Sequence, residues 1–223
     1  MITRFSYLLG DRETVTSDSI GRLRITAKSE ISKGERTNKK LIENLTTHTG
    51  THIDVAYHML VDGITLDELD ISHFIFDRPL LLEISKSDFE KVTYDDLHPY
   101  EKQIRQSDIL MIYTGFSRYR EDDPDRYFRN QPGLSENATN YLTEFPNLRG
   151  VAVDLIGVEN VIEGRKKSYP VHKILFKSLK KLVLLEDADL AALSGKDLKR
   201  VYLIPLFVKG ADGSPVTAFA EYE

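Results

Sequence analysis

The chain has 223 residues, 41% hydrophobic and 29% charged, with a formal net charge of -5, which is enough for a continuous core and ordinary for a globular protein. No run approaches the roughly 18 consecutive apolar residues that span a bilayer, and the basic stretches GRKKSYP and KSLKKL are too short and too poor in interleaved aromatics for a nucleic-acid surface. Cysteine is absent, which removes disulfides, thiol nucleophiles and Cys-ligated zinc, so any metal would be held by His, Asp and Glu.

The opening stretch MITRFSYLLGDRETV has no apolar run followed by a small-residue cleavage site, and a cytoplasmic protein is expected. Strands are expected at RLRITAKSEI (22–31), PLLLEIS (79–85), DILMIYTG (108–115), GVAVDLIGV (150–158), KLVLLE (181–186) and VYLIPLFV (201–208), where β-branched and apolar residues concentrate. Helices are expected over LSENATNYLTEF (134–145), with Ser135 as N-cap, and over PVHKILFKSL (170–179). ADGSP (211–215) carries the Gly and Pro of a turn, so the chain should close on a hairpin. Strands alternating with helices point to an α/β domain with a mixed sheet. With no Gly/Ser-rich or Pro-rich linker, residues 1–223 read as a single domain.

The densest chemistry lies in 48-HTGTHIDVAYH-58, which holds three of the six histidines and an aspartate. Chance would put roughly 0.3 histidines in a window of that length, an excess associated with metal binding. In a straight strand His48 and His52 would stand about 13 Å apart, too far for one ion. On a regular helix Asp54 and His58 would point to another side, at roughly 240° and 280° from His48. A bent segment remains, with Gly50 giving the freedom to fold the first two histidines together. His52 and Asp54 can then project to one side, and the two carboxylate oxygens of Asp54 could bridge a pair of ions. The absence of Cys favours an open catalytic site over a closed structural one, and His58 need not be a ligand, since an imidazole beside a metal can take and return a proton.

This stretch resembles the H-x-G-T-H-x-D-x-P-x-H signature of the cyclase-like metal-dependent hydrolases, the family that includes bacterial kynurenine formamidase and isatin hydrolase. The resemblance extends over residues 42 to 220, through VDGITLDEL, DILMIYTGFSRY, QPGLS, VAVDL, VHKILF, LLEDADLAAL and LIPLFVKGADGSPVTAF. It is weak over residues 1–41. It implies a mixed, barrel-like β-sheet core flanked by helices, of the swivelling β/β/α type, and a homo-oligomer. It also implies that His48, His52 and Asp54 bind one metal, that Asp54 reaches a second, and that His172 and Glu186 complete the second site. His58 would be the general acid/base. Two zinc ions are the expected cofactors, with manganese as the alternative. On residue type alone, His172 at a helix start and Glu186 at a strand end carry little signal, and Asp187 and Asp189 are rival carboxylates.

The chain departs from the family pattern in places. Ala56 replaces the signature proline, Leu155 and Gly157 stand where Thr and Ser are common, Thr217 replaces a frequent Arg, and the His172-to-Glu186 spacing is about two residues longer than in the formamidases. No tryptophan occurs, so the N-terminal Trp that holds the aromatic substrate of the formamidases is missing, and the resemblance does not by itself carry kynurenine specificity to this chain. Tyr57, Phe116 and Tyr119 are candidate pocket aromatics, with an ordinary core or surface position the commoner reading of each. The expected function is a metal-dependent hydrolase of a small-molecule C–N amide or lactam-like bond, using metal-activated water and His58 as general acid/base. The alternatives are a non-catalytic metal-binding or assembly protein, or a family member with different chemistry, such as ester hydrolysis or ring-forming dehydration.

Overall fold

The computed structural model describes residues 1–10, 22–179 and 181–223. Part of the weakly resembling N-terminal segment, and Lys180 of the KSLKKL run, lie outside the described residues. In chain order the strands are β1 (Ile2–Arg4), β2 (Arg24–Ser29), β3 (Lys39–Glu43), β4 (His52–Asp54), β5 (Ile75–Phe76), β6 (Pro79–Glu83), β7 (Lys91–Val92), β8 (Ile109–Tyr113), β9 (Gly133–Leu134), β10 (Gly150–Val153), β11 (Val183–Glu186), β12 (Leu198–Pro205) and β13 (Gly213–Tyr222). The helices are α1 (Tyr94–Leu97), α2 (Glu101–Gln106), α3 (Tyr119–Asp122), α4 (Pro124–Arg129), α5 (Glu136–Leu142), α6 (Val161–Lys167) and α7 (Pro170–Ser178). No helix among the described residues is long and apolar enough to cross a membrane.

Among the described residues nine strands form one sheet in the order β5-β12-β13-β4-β11-β10-β8-β6, with β1 added to β13. The neighbours β6, β8, β10 and β11 run parallel, whereas β11 to β4, β4 to β13, β13 to β12 and β12 to β5 are antiparallel. The result is a mixed α/β fold whose sheet is nearly closed into a barrel and flanked by helices. Side-chain alternation along β8 shows where the core sits. Ile109 and Met111 join one buried cluster with Ile53, Phe76 and Leu203, while Leu110 and Ile112 join another with Leu142, Leu175 and Phe176 from α5 and α7. A strand buried on both faces reads as an unbroken apolar run, as ILMIY and VLLE do.

Strands β6, β8 and β11 and helices α5 and α7 fall inside their expected segments, and Ser135 caps α5 by accepting from the Ala138 N–H at 3.3 Å. β12 and β13 form the closing hairpin. GVAVDLIGV is strand only as far as Val153. The next residue, Asp154, turns inward, and its buried carboxylate accepts from Thr114 N at 2.8 Å, Thr114 Oγ1 at 2.7 Å and Ser117 Oγ at 3.1 Å. These bonds end the strand and start the loop that leads into the site described below. Hairpin β2–β3 stands apart from the large sheet, with Leu41 and Ile42 exposed.

A buried ion pair braces the sheet beneath β11. Arg120 meets Asp187 through two parallel bonds of 2.8 and 2.7 Å, Tyr127 Oη donates to the same carboxylate at 2.9 Å, and the guanidinium lies 3.9 Å over the Tyr7 ring. Asp187 is held at φ 51°, a left-handed conformation uncommon outside glycine. Removing one partner of such a pair leaves the other charge buried without compensation. Arg120→Met is therefore expected to cost about 3–5 kcal/mol in urea denaturation, with Glu186, the adjacent residue, losing its fixed position.

Candidate metal centre

The site is assembled around the bend in HTGTHIDVAYH. Residues 46–51 form a turn in which Gly50 takes φ 64° and Thr49 Oγ1 accepts from the Thr46 N–H at 2.9 Å. β4 then inserts between β11 and β13 in a register that sets His52 opposite Glu186 and Pro215, and Asp54 opposite Leu184 and Gly213. His52 and Asp54, two apart on one strand, project to the same face. Gly213 is obligatory at this crossing, because a Cβ there would lie 2.4 Å from the Ile53 carbonyl oxygen. Beyond β4 a single 3-10 turn, Ala56–His58, carries His58 back over Asp54. α7 delivers His172 from its first turn, behind Pro170 at N1.

The five residues named as ligands and His58 all line one cavity of about 510 Å³. Asp54 is at its centre: Oδ1 lies 2.8 Å from His48 Nδ1 and 3.4 Å from His52 Nε2, and Oδ2 lies 3.8 Å from His58 Nε2 and 3.9 Å from His172 Nε2. Glu186 lies 3.5 Å from His52 Nε2 and 3.2 Å from His172 Nε2. Two triads of potential ligand atoms result, His48–His52–Asp54 and Asp54–His172–Glu186, and Asp54 belongs to both. A third, His48–His58–Asp212, adjoins them.

The donor set suits a cation. Every imidazole in the two triads has one nitrogen tied outward and the other turned to the centre. His52 Nδ1 is 2.8 Å from the Gly50 carbonyl, His172 Nδ1 is 2.7 Å from Glu159 Oε1, and His48 Nε2 is 2.8 Å from Asp212 Oδ2. Such outer carboxylates and carbonyls fix the tautomer and aim the free lone pair of a metal-ligating histidine. Glu186 Oε1 likewise accepts from the Val158 N–H at 2.8 Å, orienting its carboxylate. Asp54 Oδ1 is buried and, although His48 Nδ1 lies 2.8 Å away, it has no well-formed hydrogen bond among the described residues. A buried carboxylate oxygen without a hydrogen is costly, and a cation would satisfy it. Imidazole and carboxylate donors without sulfur match zinc or manganese chemistry.

Electrostatics point the same way. Burial acts to lower the His48 and His172 pKa values, but the carboxylates outweigh it: Asp54 and Asp212 push His48 up to about 9, and Glu159 and Glu186 push His172 up to about 10. Burial would raise Asp54, yet the adjacent His48 and His58 hold it well below the usual carboxylate range. Burial and the Asp54 charge act to raise Glu186, and the imidazoles of His172 and His52 reverse that.

Three buried or half-buried partners were not singled out in the sequence. Asp212, in the stretch read as a turn, reaches both His48 and His58 Nδ1, the latter at 3.0 Å. Glu159 holds both the ring and the backbone N–H of His172. Gln131, in QPGLS, accepts from the Ile156 N–H at 2.8 Å and donates to the Glu159 carbonyl at 3.0 Å, pinning the loop where Leu155 and Gly157 replace the more usual hydroxyl residues. The aromatic candidates are corrected. Phe116 is fully buried in the core, Tyr119 packs against it, and Tyr57 is exposed outside this cavity, whose aromatic walls are Phe128 and Tyr169. Of the rival carboxylates, Asp187 is turned away to Arg120, and Asp189 joins none of the ligand groups among the described residues.

Gly63 supports the turn that carries His58. A Cβ at this position would stand 2.3 Å from the Ala56 carbonyl carbon and 2.4 Å from Tyr57 N, where only backbone could move aside. Gly63→Ala is expected to cost about 1–3 kcal/mol in thermal or urea unfolding. The same change should displace His58 from its place over Asp54.

Comparisons with known proteins place the chain in a family. The model of the family described as "Putative cyclase" matches residues 16–160. The kynurenine formamidase of Geobacillus thermodenitrificans is 30% identical over 174 residues, 78% of this chain and 76% of that protein. A crystal structure of an isatin hydrolase with the product analogue thioisatinate superposes with a TM-score of 0.83 at 20% identity, covering 98% of this chain and 91% of that one. A predicted metal-dependent hydrolase from Bacillus stearothermophilus superposes at 0.74 with 22% identity, covering 99% and 97%. The two structural likenesses establish the fold, while the family match spans more than half of the sequence and the formamidase aligns over most of it. The chain belongs to this cyclase family.

Proposed function

We propose that residues 1–223 work as one metal-dependent hydrolase domain that cleaves a C–N amide or lactam-like bond in a small molecule. The observation that carries this reading is the pair of ligand triads sharing Asp54 in one cavity, with each imidazole aimed by an outer partner. His48, His52 and Asp54 would hold one ion, and Asp54, His172 and Glu186 a second, with zinc as the expected metal and manganese the alternative. A divalent cation held there lowers the pKa of water and polarises a carbonyl.

The chain's own residues supply the rest. Asp212 accepts from His58 Nδ1 at 3.0 Å, which leaves Nε2 as the nitrogen that faces Asp54. From there His58 Nε2 can take a proton from attacking water and deliver it to the departing nitrogen, without which an amine leaves poorly. Phe128, Ile156 and Val161 give the cavity an apolar side for the body of the substrate. A cytoplasmic setting and a homo-oligomer complete the proposal. The exposed Leu41 and Ile42 on hairpin β2–β3 support the latter, because an isolated two-stranded hairpin is marginal in water without a further surface to cover it.

A panel of formyl anilides, cyclic amides and simple esters, assayed with added zinc and manganese, tests the proposal. Turnover of C–N substrates is expected. Stoichiometric metal with no turnover of any substrate would instead indicate a metal-binding or assembly protein.

A further inference from the structure

Two ligands of the Asp54–His172–Glu186 triad are held by one loop. The Val158 N–H donates to Glu186 Oε1 at 2.8 Å, and Glu159 Oε1 accepts from the His172 backbone N–H at 3.2 Å and lies 2.7 Å from its Nδ1. The outward partners of the other triad, Asp212 for His48 and the Gly50 carbonyl for His52, belong to different segments. Between the end of β10 at Val153 and the start of α6 at Val161 this loop contains no helix or strand, so bonds from outside must fix it.

Gln131 supplies them. Its side chain is fully buried, with Oε1 accepting from the Ile156 N–H at 2.8 Å and the Gly157 N–H at 3.4 Å, and Nε2 donating to the Glu159 carbonyl at 3.0 Å. One amide therefore grips the chain on both sides of Val158. The Gln131 carbonyl also accepts from Asn160 Nδ2 at 2.8 Å, and Asn160 Oδ1 caps α6 through the Ile162 and Glu163 N–H groups. The Leu134 N–H donates to the Val158 carbonyl at 2.8 Å, and the approach is close enough that a Cβ on Gly133 would stand 2.8 Å from Asn160 N. An uncharged amide suits the position, because it accepts at one end and donates at the other. A hydrocarbon there would leave buried N–H and C=O groups without partners.

We propose that Gln131 is a positioning residue for one ion of the two: by fixing Val158 and Glu159 it aims Glu186 and His172, and so decides whether the centre holds a second cation beside the one at His48, His52 and Asp54. This rests on the reading of the two triads as two metal sites. Gln131 touches neither ion nor substrate, and its effect passes entirely through the loop. Partners that orient metal ligands in this way govern affinity although they bind no metal themselves.

The test is calorimetric titration of the full chain with zinc in competition with a chelator, wild type beside Gln131→Met, which keeps the length of the side chain and removes its polar atoms. Wild type should take up two ions per chain. In Gln131→Met the affinity for the second should fall about tenfold or more, the range for partners that orient metal ligands, while the first stays near its wild-type value and shows that the variant is folded. Gln131→Glu, of the same size, keeps an acceptor for the Ile156 N–H but loses the amide donor, and should fall between the two. Manganese gives an independent signature. Ions sharing Asp54 couple magnetically, so the paramagnetic resonance spectrum of the loaded wild type should be that of a coupled pair, and that of Gln131→Met the spectrum of isolated ions. Equal loss of both ions in Gln131→Met, or full retention of both, would overturn the proposal while leaving the two-site reading in place. A wild type that takes up a single ion, bound equally well by Gln131→Met, would refute the two-site reading and the role of Gln131 together.

Discussion

Asp54→Ala is expected to leave the protein folded but without bound zinc or manganese, and to reduce turnover by at least about 10³-fold, the scale of several kcal/mol of Lewis-acid stabilisation. Among the described residues no other carboxylate lies within 4 Å of four imidazoles. The two oxygens of Asp54 face His48 and His52 on one side and His58 and His172 on the other, and it is the member common to both triads. Truncating His52 or His172 alone removes one donor from one triad, whereas truncating Asp54 removes a donor from both His48–His52–Asp54 and Asp54–His172–Glu186. Elemental analysis after metal-replete purification reads the result, and retention of full metal content would show that Asp54 is not a shared ligand. The pKa directions add a pH dependence. His48 and His172 carry protons in the metal-free protein up to about pH 9 and 10, so uptake of metal must displace protons and should weaken as pH falls.

His58→Ala should separate chemistry from binding: metal content near that of the wild type, with turnover lower by roughly 10²–10⁴-fold, the range of general acid–base catalysis. The ring is well placed for proton transfer, with Nδ1 on Asp212 and Nε2 towards Asp54. The same structure offers the competing role, since His48, His58 and Asp212 also form a triad of potential ligands. Loss of one ion per chain in His58→Ala would assign His58 to that triad and remove it as the proton carrier. Asp212→Asn adds a further control: if the carboxylate only orients His58, turnover should fall by less than in His58→Ala.

What could be read in the chain depended on how local the information was. The bend at Gly50 and the shared side of His52 and Asp54 follow from spacing over a few residues, and the fold shows both. The apolar runs that became β6, β8 and β11 are legible because a strand buried on two faces has little other composition available. His172 and Glu186 were named only through the family signature, and their approach to His52 and Asp54 depends on the register of β4 against β11 and on where α7 begins. Asp212 and Glu159 belong to loops whose course is set by pairings elsewhere: Val55 N to the Asp212 carbonyl, and Gln131 to the loop that carries Glu159. A carboxylate in GADGSP looks like turn chemistry until β13 is laid against β4. The aromatic candidates failed for a related reason, since Phe116 follows β8 directly and that strand leads it into the core.

A crystal structure of the zinc- or manganese-loaded protein, with anomalous difference maps recorded on either side of the metal's absorption edge, is the most direct test of the account. The expected result is density within bonding distance of Asp54, flanked by His48 and His52 on one side and His172 and Glu186 on the other. Density only at the His48–His58–Asp212 group, or none in a crystal of protein shown to carry metal at other residues, would contradict it.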